Sequence, residues 1–425
     1  MKEVGVAILG LGVVGGGTYR ILQEHRDFYR RTQDVDIVVE NVLERRQDRL
    51  QELGVPDEIV SSNIAEVITD PDVNIVVEAM GGVEAAREYV LAALNAGKTV
   101  VTSNKELVCK FSHELERVAR RHNAGLYYEA SCVGGVPIVR TLLDGVQANE
   151  ISSMMGIING TTNYILTKMT NEGASYEEVV LEAQRLGYAE ADPTSDVEGF
   201  DAAYKLSILS SLAFHTKVPF SKVFREGITG ISQADIAYGK ELGYILKLLA
   251  IGKRTSDGIE VRVHPAFIKK DHPLASVGDS YNAVYLTGDA VEDVMLYGRG
   301  AGALPTGSAI VSDIIYAATH PEPKYSTFKN TATADKDTKF VNNFRSAYYL
   351  RLTVADQAGV LSKITSIFGR HNISVQKMVQ KEREQEGVAT LVIVTHETQE
   401  LSVRSAVTKI AALEVASVDA LLRVI

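Results

Sequence analysis

Hydrophobic residues in the first third of the chain fall into short runs of branched side chains, and stretches with a helical repeat separate these runs. The runs predict strands at Val4–Leu9, Val35–Leu43, Asn74–Ala79 and Lys98–Thr102. Helices are expected from the glycines near residue 10 to about Leu22, and over Glu84–Asn95, where Gly97 ends the helix. This alternation predicts an α/β fold over residues 1–130, with a doubly wound parallel sheet covered by helices on both faces.

The middle of the chain follows another pattern, in which strands and helices no longer alternate. Ser175 and Glu178 have the spacing of a capping box, so a helix is expected to begin there and to run to about Leu186. Residues 131–320 are therefore expected to form an α+β domain. Its other predicted elements are helices at Val136–Leu143, Gly199–His215 and Thr306–Ala318, a strand at Ile151–Ile158, and apolar strands up to about residue 300.

A polar stretch, residues 321–344, contains prolines and few apolar positions, which is typical of a connection. A new pattern then begins and continues over residues 345–425. Its order, β-α-β-β-α-β, predicts a separate ferredoxin-like domain. The predicted elements are Ala347–Val354, Val360–Arg370, Ile373–Lys381, Ala389–Thr395, Leu401–Leu413 and Val415–Val424.

Composition narrows the range of functions. The net charge of -10 and the sequence pI of about 5.5 disfavour a nucleic acid or an anionic membrane as the main partner. Cys109 and Cys132 are the only cysteines, which excludes a disulfide scaffold and favours a reducing, cytoplasmic location. No apolar run approaches the roughly 20 residues that a membrane span requires.

The glycine cluster at the start of the chain has the pattern G-x-G-x-x-G, and it lies between a predicted strand and a predicted helix. In that context Gly10 permits a tight turn, Gly12 lets the backbone approach a pyrophosphate, and Gly15 lets helix and strand pack closely. Val13 and Val14 begin the helix, whose amide groups would face the phosphates. The sequence therefore predicts a Rossmann-type dinucleotide site.

The choice between the two nicotinamide dinucleotides depends on the end of the second strand. Glu44 could bind the ribose hydroxyls of NAD, whereas Arg45 and Arg46 could bind the 2′-phosphate of NADP. The pattern favours Arg45 as a phosphate contact, but solvated surface charges remain an alternative. Ser103 and Lys105 follow a later strand, at the edge of the sheet where ligands bind.

The segment Gly187–Lys205 is rich in carboxylates. Asp201 and Lys205 are four residues apart and share one helix face. A lysine ammonium can supply the proton that hydride transfer to a carbonyl requires, and an aspartate can orient it. Glu190 and Asp196 suit a substrate with an ammonium group. The alternative is an ordinary helical ion pair, worth about 0.3–0.5 kcal/mol.

A strand also ends at Asn159-Gly160, where a helix starts with hydroxyl and amide side chains. Thr161 lies in its first turn, and the exposed amides of such a turn can hold a carboxylate. A capped helix without a ligand is the alternative.

Together these segments resemble the homoserine dehydrogenase family over roughly residues 1–320. The resemblance is carried by the glycine cluster and by further motifs at Thr102–Lys105, Asn159–Leu166, Gly187–Pro193, Asp196–Leu206 and Gly300–Ala309. It implies NAD(P)-dependent, reversible reduction of aspartate 4-semialdehyde to homoserine, on the route to threonine and methionine. It also implies that residues 131–320 combine catalysis with dimerisation, in a homodimer or homotetramer.

By the same resemblance, Lys205 transfers the proton, Lys105 contacts the reacting oxygen near the cofactor, and Asp201 orients the site. Glu190 and Asp196 would bind the substrate's amino group, with Thr161 and Tyr188 shaping its pocket. Gly302 would close over the cofactor. A monovalent cation, Na⁺ or K⁺, would be held mainly by backbone carbonyls near Glu129, Cys132, Gly134 and Val136.

The C-terminal domain resembles ACT domains. The similarity lies in Tyr349–Leu361 and in Asn372-Ile373-Ser374, although Ala358 stands where many members of that family have proline. The resemblance implies an amino-acid effector, with threonine expected, and a domain that serves only oligomerisation is the alternative.

Two other functions of the whole chain stay open at this point. One is an amino-acid dehydrogenase that acts at an imine carbon, and the other is a sensor without catalysis.

Overall fold

A computed structural model describes residues 1–320, 322–323, 325, 338–382 and 387–425. Its first five strands form a parallel sheet in the order β2-β1-β3-β4-β5, so the predicted doubly wound α/β fold is confirmed. The strands are β1 (Lys2–Leu9), β2 (Val35–Leu43), β3 (Val73–Glu78), β4 (Thr99–Thr102) and β5 (Leu126–Tyr127). The helices are α1 (Val13–Gln33), α2 (Gln47–Glu52), α3 (Ile64–Thr69), α4 (Glu84–Asn95) and α5 (Lys105–Arg121).

Helix α1 continues eleven residues beyond its predicted end at Leu22, so that prediction was wrong. The second half of the helix is highly charged, which hides its helical repeat. Arg26 and Arg30 both bind the buried carboxylate of Asp36 at 2.7 Å, and Tyr29 packs into the core. Tertiary contacts therefore stabilise a segment whose own polarity is typical of a loop.

The middle of the chain forms helices and a largely antiparallel sheet. The strands are β6 (Ile151–Ile157), β7 (Phe224–Arg225), β8 (Tyr244–Thr255), β9 (Gly258–Lys269), β10 (Tyr281–Gly288) and β11 (Glu292–Arg299). The helices are α6 (Ile138–Arg140), α7 (Gly160–Glu172), α8 (Tyr176–Arg185), α9 (Thr194–Val197), α10 (Phe200–Ala213), α11 (Gln233–Glu241) and α12 (Ala303–Thr319). The predicted capping box of α8 is present, with Ser175 and Glu178 bonded reciprocally. Helix α12 returns to pack against α1.

The C-terminal residues form the predicted β-α-β-β-α-β unit. Its strands are β12 (Arg345–Ala355), β13 (Val375–Glu382), β14 (Val388–Thr395), the short β15 (Thr398–Gln399) and β16 (Ala416–Val424), and its helices are α13 (Val360–Arg370) and α14 (Glu400–Ala411). The predicted connection, residues 321–344, falls largely outside the described residues. The segment boundaries at 130, 320 and 345 stay predictions.

One sheet crosses from the middle of the chain into the C-terminal unit. Within the described residues, nine strands follow the order β11-β10-β6-β8-β9-β16-β12-β14-β13, while β7 pairs with β9 and β15 with β12. The junction is a parallel pairing in which Arg423 lies opposite Ala266 and Val424 opposite Phe267. No helix that the structure describes is both long and apolar enough to cross a membrane.

Buried charges reinforce this junction. Arg423 of β16 is fully buried and binds both Glu226, next to β7, and Glu400 of α14. Arg351 of β12 binds Asp235 of α11 at 2.7 Å, and the Tyr349 hydroxyl donates to the same carboxylate at 3.0 Å. The C-terminal unit is therefore joined to the middle segment by backbone pairing and by paired charges in its interior.

We predict that Asp235→Asn lowers the free energy of unfolding by about 3 kcal/mol, because Arg351 loses the main partner of its buried charge. Lys381→Met is the matched control. Lys381 of β13 pairs with Glu241, an exposed residue of the helix α11 that also carries Asp235, and this pair should contribute at most about 1 kcal/mol. Urea denaturation of both variants measures the difference, and equal losses would contradict the prediction.

Candidate active site

A cleft of about 480 Å³ opens where α1, the β4–α5 loop, the start of α7 and the segment Leu186–Glu190 meet. It is also lined by α10, by residues 130–134 and by residues 299–302. The cleft brings together most of the side chains that the sequence predicts for substrate and catalysis. These are Lys105, Thr161, Tyr188, Glu190, Asp196, Asp201 and Lys205, and the predicted cofactor residues Val14, Ser103 and Gly302 lie beside them.

The centre of the cleft is the carboxylate of Asp201, in the first turn of α10 and only 4% exposed. Lys205, one turn further on, places its Nζ 2.7 Å from Oδ2, and Lys105, the first residue of α5, places its Nζ 2.9 Å from Oδ1. Burial acts to raise the pKa of Asp201, but the charges of both lysines outweigh it and hold that pKa well below its usual range. In return, the Asp201 charge raises the pKa of Lys105.

Asn159 joins two carboxylates through one amide group. Its Nδ2 donates to Asp196 at 2.7 Å and to Asp201 at 2.8 Å, while its Oδ1 accepts the backbone N–H of Thr162 and caps α7. Burial, followed by repulsion from Asp201, raises the pKa of Asp196. A cationic ligand group beside Asp196 would relieve that repulsion.

The remaining predicted substrate residues form the rim of the cleft. Thr161 is buried, and its hydroxyl donates to the backbone carbonyl of Tyr188 at 2.7 Å. The Tyr188 ring is 42% exposed and packs against Tyr164 at a centroid distance of 4.9 Å. Glu190 is exposed and faces the same cleft. Thr161 thus fixes the rim, while Tyr188 and Glu190 are free to meet a ligand.

The glycine loop has the geometry that its sequence predicts. Gly10 is left-handed, with φ +88°, and a Cβ atom added at Gly15 would lie 1.9 Å from the Gly10 carbonyl oxygen. A Cβ at Gly12 would meet nothing within 4 Å, so this position opens onto free space at the start of α1. Val13 is exposed, and Val14 faces the main cleft. A dinucleotide phosphate fits this loop.

A second cleft, of about 580 Å³, lies at the other side of the glycine loop and is lined by Glu44 and Arg45. The Glu44 carboxylate accepts the backbone N–H groups of Leu11 and Arg45, each at 2.8 Å. Burial acts to raise its pKa, yet these bonds and those from Arg46 lower it to about 2. Arg46 pairs with Glu44 at 3.3 Å, and the Arg45 side chain is exposed at the cleft.

Gly302 and Ser103 flank the main cleft from different elements. Gly302 precedes α12 with φ +119°, a conformation that favours glycine. A Cβ at Gly17 of α1 would lie 2.2 Å from the Ala303 carbonyl oxygen, so α1 and α12 approach closely next to Gly302. This packing holds the 300–302 loop near the helix start where phosphates are expected.

The predicted cation residues lie on the loop from Glu129 to Val136. The Glu129 carboxylate accepts the backbone N–H groups of Val139 and Arg140, at 2.9 and 2.6 Å. Burial raises the pKa of the Cys132 thiol to about 12. No group of three or more His, Cys, Asp or Glu residues that could hold a metal occurs in the described part of the chain. The cation site that the resemblance assigns to backbone carbonyls of this loop stays a prediction.

The sequence did not predict the positions of two polar residues that line the cleft. Asn159 was recognised as part of a capped helix start, but its link between Asp196 and Asp201 depends on the fold. Arg299 lines the cleft, but no local motif marks it, because it precedes the 300–302 loop and has no acidic residue next to it in the sequence.

Comparison with known proteins decides the family. The model for homoserine dehydrogenase matches residues 137–315, that for the NAD-binding domain of homoserine dehydrogenase matches residues 10–129, and that for ACT domains matches residues 348–415. The homoserine dehydrogenase of Bacillus subtilis is 42% identical, covering 94% of this chain and 93% of its own length.

The chain belongs to the homoserine dehydrogenase family.

The crystal structure of a homoserine dehydrogenase from Thiobacillus denitrificans has a TM-score of 0.92 and 40% identity, and the match covers 100% of this chain and 99% of that one. A hyperthermophilic archaeal homoserine dehydrogenase in complex with NADPH has a TM-score of 0.64 and 28% identity, over 76% of this chain and all of that one. As a homoserine dehydrogenase family member, the chain is an oxidoreductase with a nicotinamide-dinucleotide domain and a C-terminal ACT domain.

We predict that Gly12→Ala and Gly15→Ala both lose dinucleotide binding, but for different reasons. The Gly15 variant should also lose about 3 kcal/mol of stability, because its Cβ collides with the Gly10 carbonyl. The free energy of unfolding of the Gly12 variant should lie within about 0.5 kcal/mol of the wild-type value, since the added Cβ meets only free space. Denaturation and cofactor titration measure both effects. Normal binding by the Gly12 variant would show that the loop does not contact the phosphates.

Proposed function

We propose that this protein catalyses the reversible reduction of L-aspartate 4-semialdehyde to L-homoserine with NADP, in the cytoplasm, on the route to threonine and methionine. The observation that carries the proposal is one buried carboxylate, Asp201, bound by Lys105 and Lys205 in a cleft that adjoins the glycine loop. The free thiols of Cys109 and Cys132 support the reducing location.

The bound cofactor supplies or accepts the hydride at the carbon that carries the reacting oxygen. We assign the accompanying proton to Lys205. Its Nζ donates to Asp201 and to the Ile158 carbonyl, at 2.7 and 3.0 Å, which leaves one of its three N–H donors for a substrate oxygen. In the reduction that N–H protonates the oxygen of the new alcohol, and in the oxidation the neutral amine takes the proton back.

Lys105 has a different part in the proposed mechanism. Its pKa is raised by Asp201, so it stays an ammonium at neutral pH and can stabilise negative charge that develops on the reacting oxygen. Its side chain is 39% exposed, which leaves its other donors accessible from the cleft. Asp201 orients both lysines and keeps their charges close together.

The substrate's ammonium group is assigned to Asp196 and Glu190. The carboxylate of Asp196 is repelled by the neighbouring carboxylate of Asp201. Binding of a cation beside Asp196 is therefore electrostatically favourable. Glu190 at the rim adds a second negative charge. Thr161 and Tyr188 shape the pocket, and the Thr161 hydroxyl fixes their relative position by donating to the Tyr188 carbonyl.

NADP is the proposed cofactor because of the second cleft. Glu44 already accepts several N–H groups, which leaves it little capacity for ribose hydroxyls, whereas Arg45 is exposed and can bind a 2′-phosphate. Gly10, Gly12, Val13, Val14 and Gly15 would hold the pyrophosphate, with Ser103 and Gly302 nearer the nicotinamide. The NADPH complex of the archaeal relative supports this choice.

Three further features belong to the proposal. A Na⁺ or K⁺ ion bound by carbonyls of residues 129–136 would rigidify the loop beside the cleft, where Val133 and Gly134 are both left-handed. A homodimer or homotetramer is supported by β11, which forms a sheet edge and exposes Tyr297. Feedback by threonine at the ACT domain is supported by the continuous sheet that joins this domain to the catalytic segment.

The proposal is tested by absorbance at 340 nm with L-homoserine, using NADP and NAD separately, with and without threonine and with K⁺ or Na⁺ present. Cofactor reduction with NADP that threonine inhibits would support the reaction, the cofactor and the effector. Absence of cofactor reduction with both NADP and NAD would reject the reaction, and turnover that threonine leaves unchanged would reject the effector.

We predict that Lys205→Met lowers kcat by about 10²- to 10⁴-fold, because the proton donor is lost. Cofactor affinity should stay within a factor of about two. Lys168→Met is the control, since Lys168 pairs with Glu172 on the exterior of α7 and should leave kcat unchanged. A Lys205 variant with nearly full activity would contradict the assigned role.

We also predict that Arg45→Ala raises the KM for NADP about 10- to 100-fold and leaves the KM for NAD nearly unchanged, because a charge-assisted bond to the 2′-phosphate is lost. Arg46→Ala should be less selective, since Arg46 is paired with Glu44. Equal losses for both cofactors would exclude Arg45 as a phosphate contact.

A further inference from the structure

One charged side chain that lines the main cleft has no part in the mechanism proposed above. The charged side chains of its lining are Lys105, Glu190, Asp196, Asp201, Lys205 and Arg299. Both lysines bind the single carboxylate of Asp201. Arg299 is the remaining cation, and neither the proposed proton transfer nor the proposed binding of the ammonium group uses it.

Arg299 contacts only neutral groups among the described residues. Its Nη1 donates to the Ser280 hydroxyl at 3.0 Å, and its guanidinium carbon lies 4.2 Å from the centre of the Tyr281 ring. The described ion pairs include none for Arg299. Its guanidinium therefore keeps most of its five N–H donors, and its full charge, available to a ligand in the cleft.

The backbone of Arg299 is well fixed although its side chain is exposed. It is the last residue of β11, where it pairs with Tyr281 of β10, and its carbonyl accepts the N–H of Gly135 at 2.9 Å. Ser280, which holds the guanidinium, is adjacent to the start of α7, because a Cβ at Gly160 would lie 2.9 Å from the Ser280 carbonyl oxygen. The residue that binds the guanidinium thus lies with its backbone against the residue that follows Asn159.

This placement puts both signs of charge close to one helix start. Asn159 binds Asp196 and Asp201, while Arg299 binds Ser280, whose backbone contacts Gly160, and all of these residues line one cleft. An α-amino acid carries an ammonium and a carboxylate on a single carbon, so it needs opposite charges at short separation. The acidic residues account for the ammonium only.

We propose that Arg299 binds the α-carboxylate of the substrate and thereby selects amino acids with a free carboxylate. The inference rests on the proposed function, because it concerns the same cleft. Arg299 is then a substrate-binding residue whose contribution appears in affinity rather than in the proton transfer. A phosphate of the cofactor is the other anion that could reach this guanidinium, and the experiment separates the two.

The test compares Arg299→Gln and Arg299→Lys with the wild type, using L-homoserine and L-homoserinamide, in which a neutral amide replaces the carboxylate. We expect Arg299→Gln to raise the KM for L-homoserine about 10- to 100-fold, the range for a lost charge-assisted hydrogen bond. The KM values for the amide and for NADP should change less than about twofold, and Arg299→Lys should recover much of the loss.

Other outcomes overturn the inference. A higher KM for NADP with an unchanged KM for L-homoserine would make Arg299 a phosphate contact, and equal rises for L-homoserine and its amide would mean that only the pocket shape changed. If the wild type turned over no L-homoserine, the proposed reaction would fail by itself. Calorimetry with the NADP-loaded protein would then decide the role of Arg299, by whether Arg299→Gln weakens binding of L-homoserine and not of its amide.

Discussion

A carboxylate that is almost completely buried must be compensated by nearby cations, and Asp201 is compensated twice. Lys205 comes from the same helix, whereas Lys105 comes from the start of α5, in the segment that carries the dinucleotide sheet. The double pairing therefore joins the two segments at the point where chemistry is proposed. Lys105 reaches Asp201 only because α5 packs against α10.

The surroundings of Asp201 follow from the same constraint. Helix α10 is apolar on nearly all sides and is buried, so a polar residue in its first turn needs partners from other elements. Asn159 supplies one of them and simultaneously caps α7, which places the start of that helix at the cleft. The position of the substrate pocket thus depends on satisfying one buried charge.

Local patterns in the sequence predicted most elements of the fold. Strand β2 and helices α4 and α13 have the bounds that hydrophobic spacing and glycine stops indicate. The glycine cluster and the Asp201–Lys205 pair were also visible, since each is a short-range pattern. The contact of Lys105 with Asp201 and the position of Arg299 could not be predicted from spacing, because they depend on how distant segments pack. The charged second half of α1 was not predicted for the same reason, because its contacts with Asp36 depend on how the segments pack.

The pairing of β9 with β16 also affects how the chain is made. Until β16 is synthesised, the backbone of β9 at Ala266 and Phe267 lacks this neighbour. Roughly 150 residues separate the two strands, and ribosomes add about 5–20 residues per second, so that edge stays open for roughly 8–30 s. Open edges invite pairing with other chains. The edge of β9 at Ala266 and Phe267 is thus covered only once the last strand of the ACT domain has been made and has paired with it.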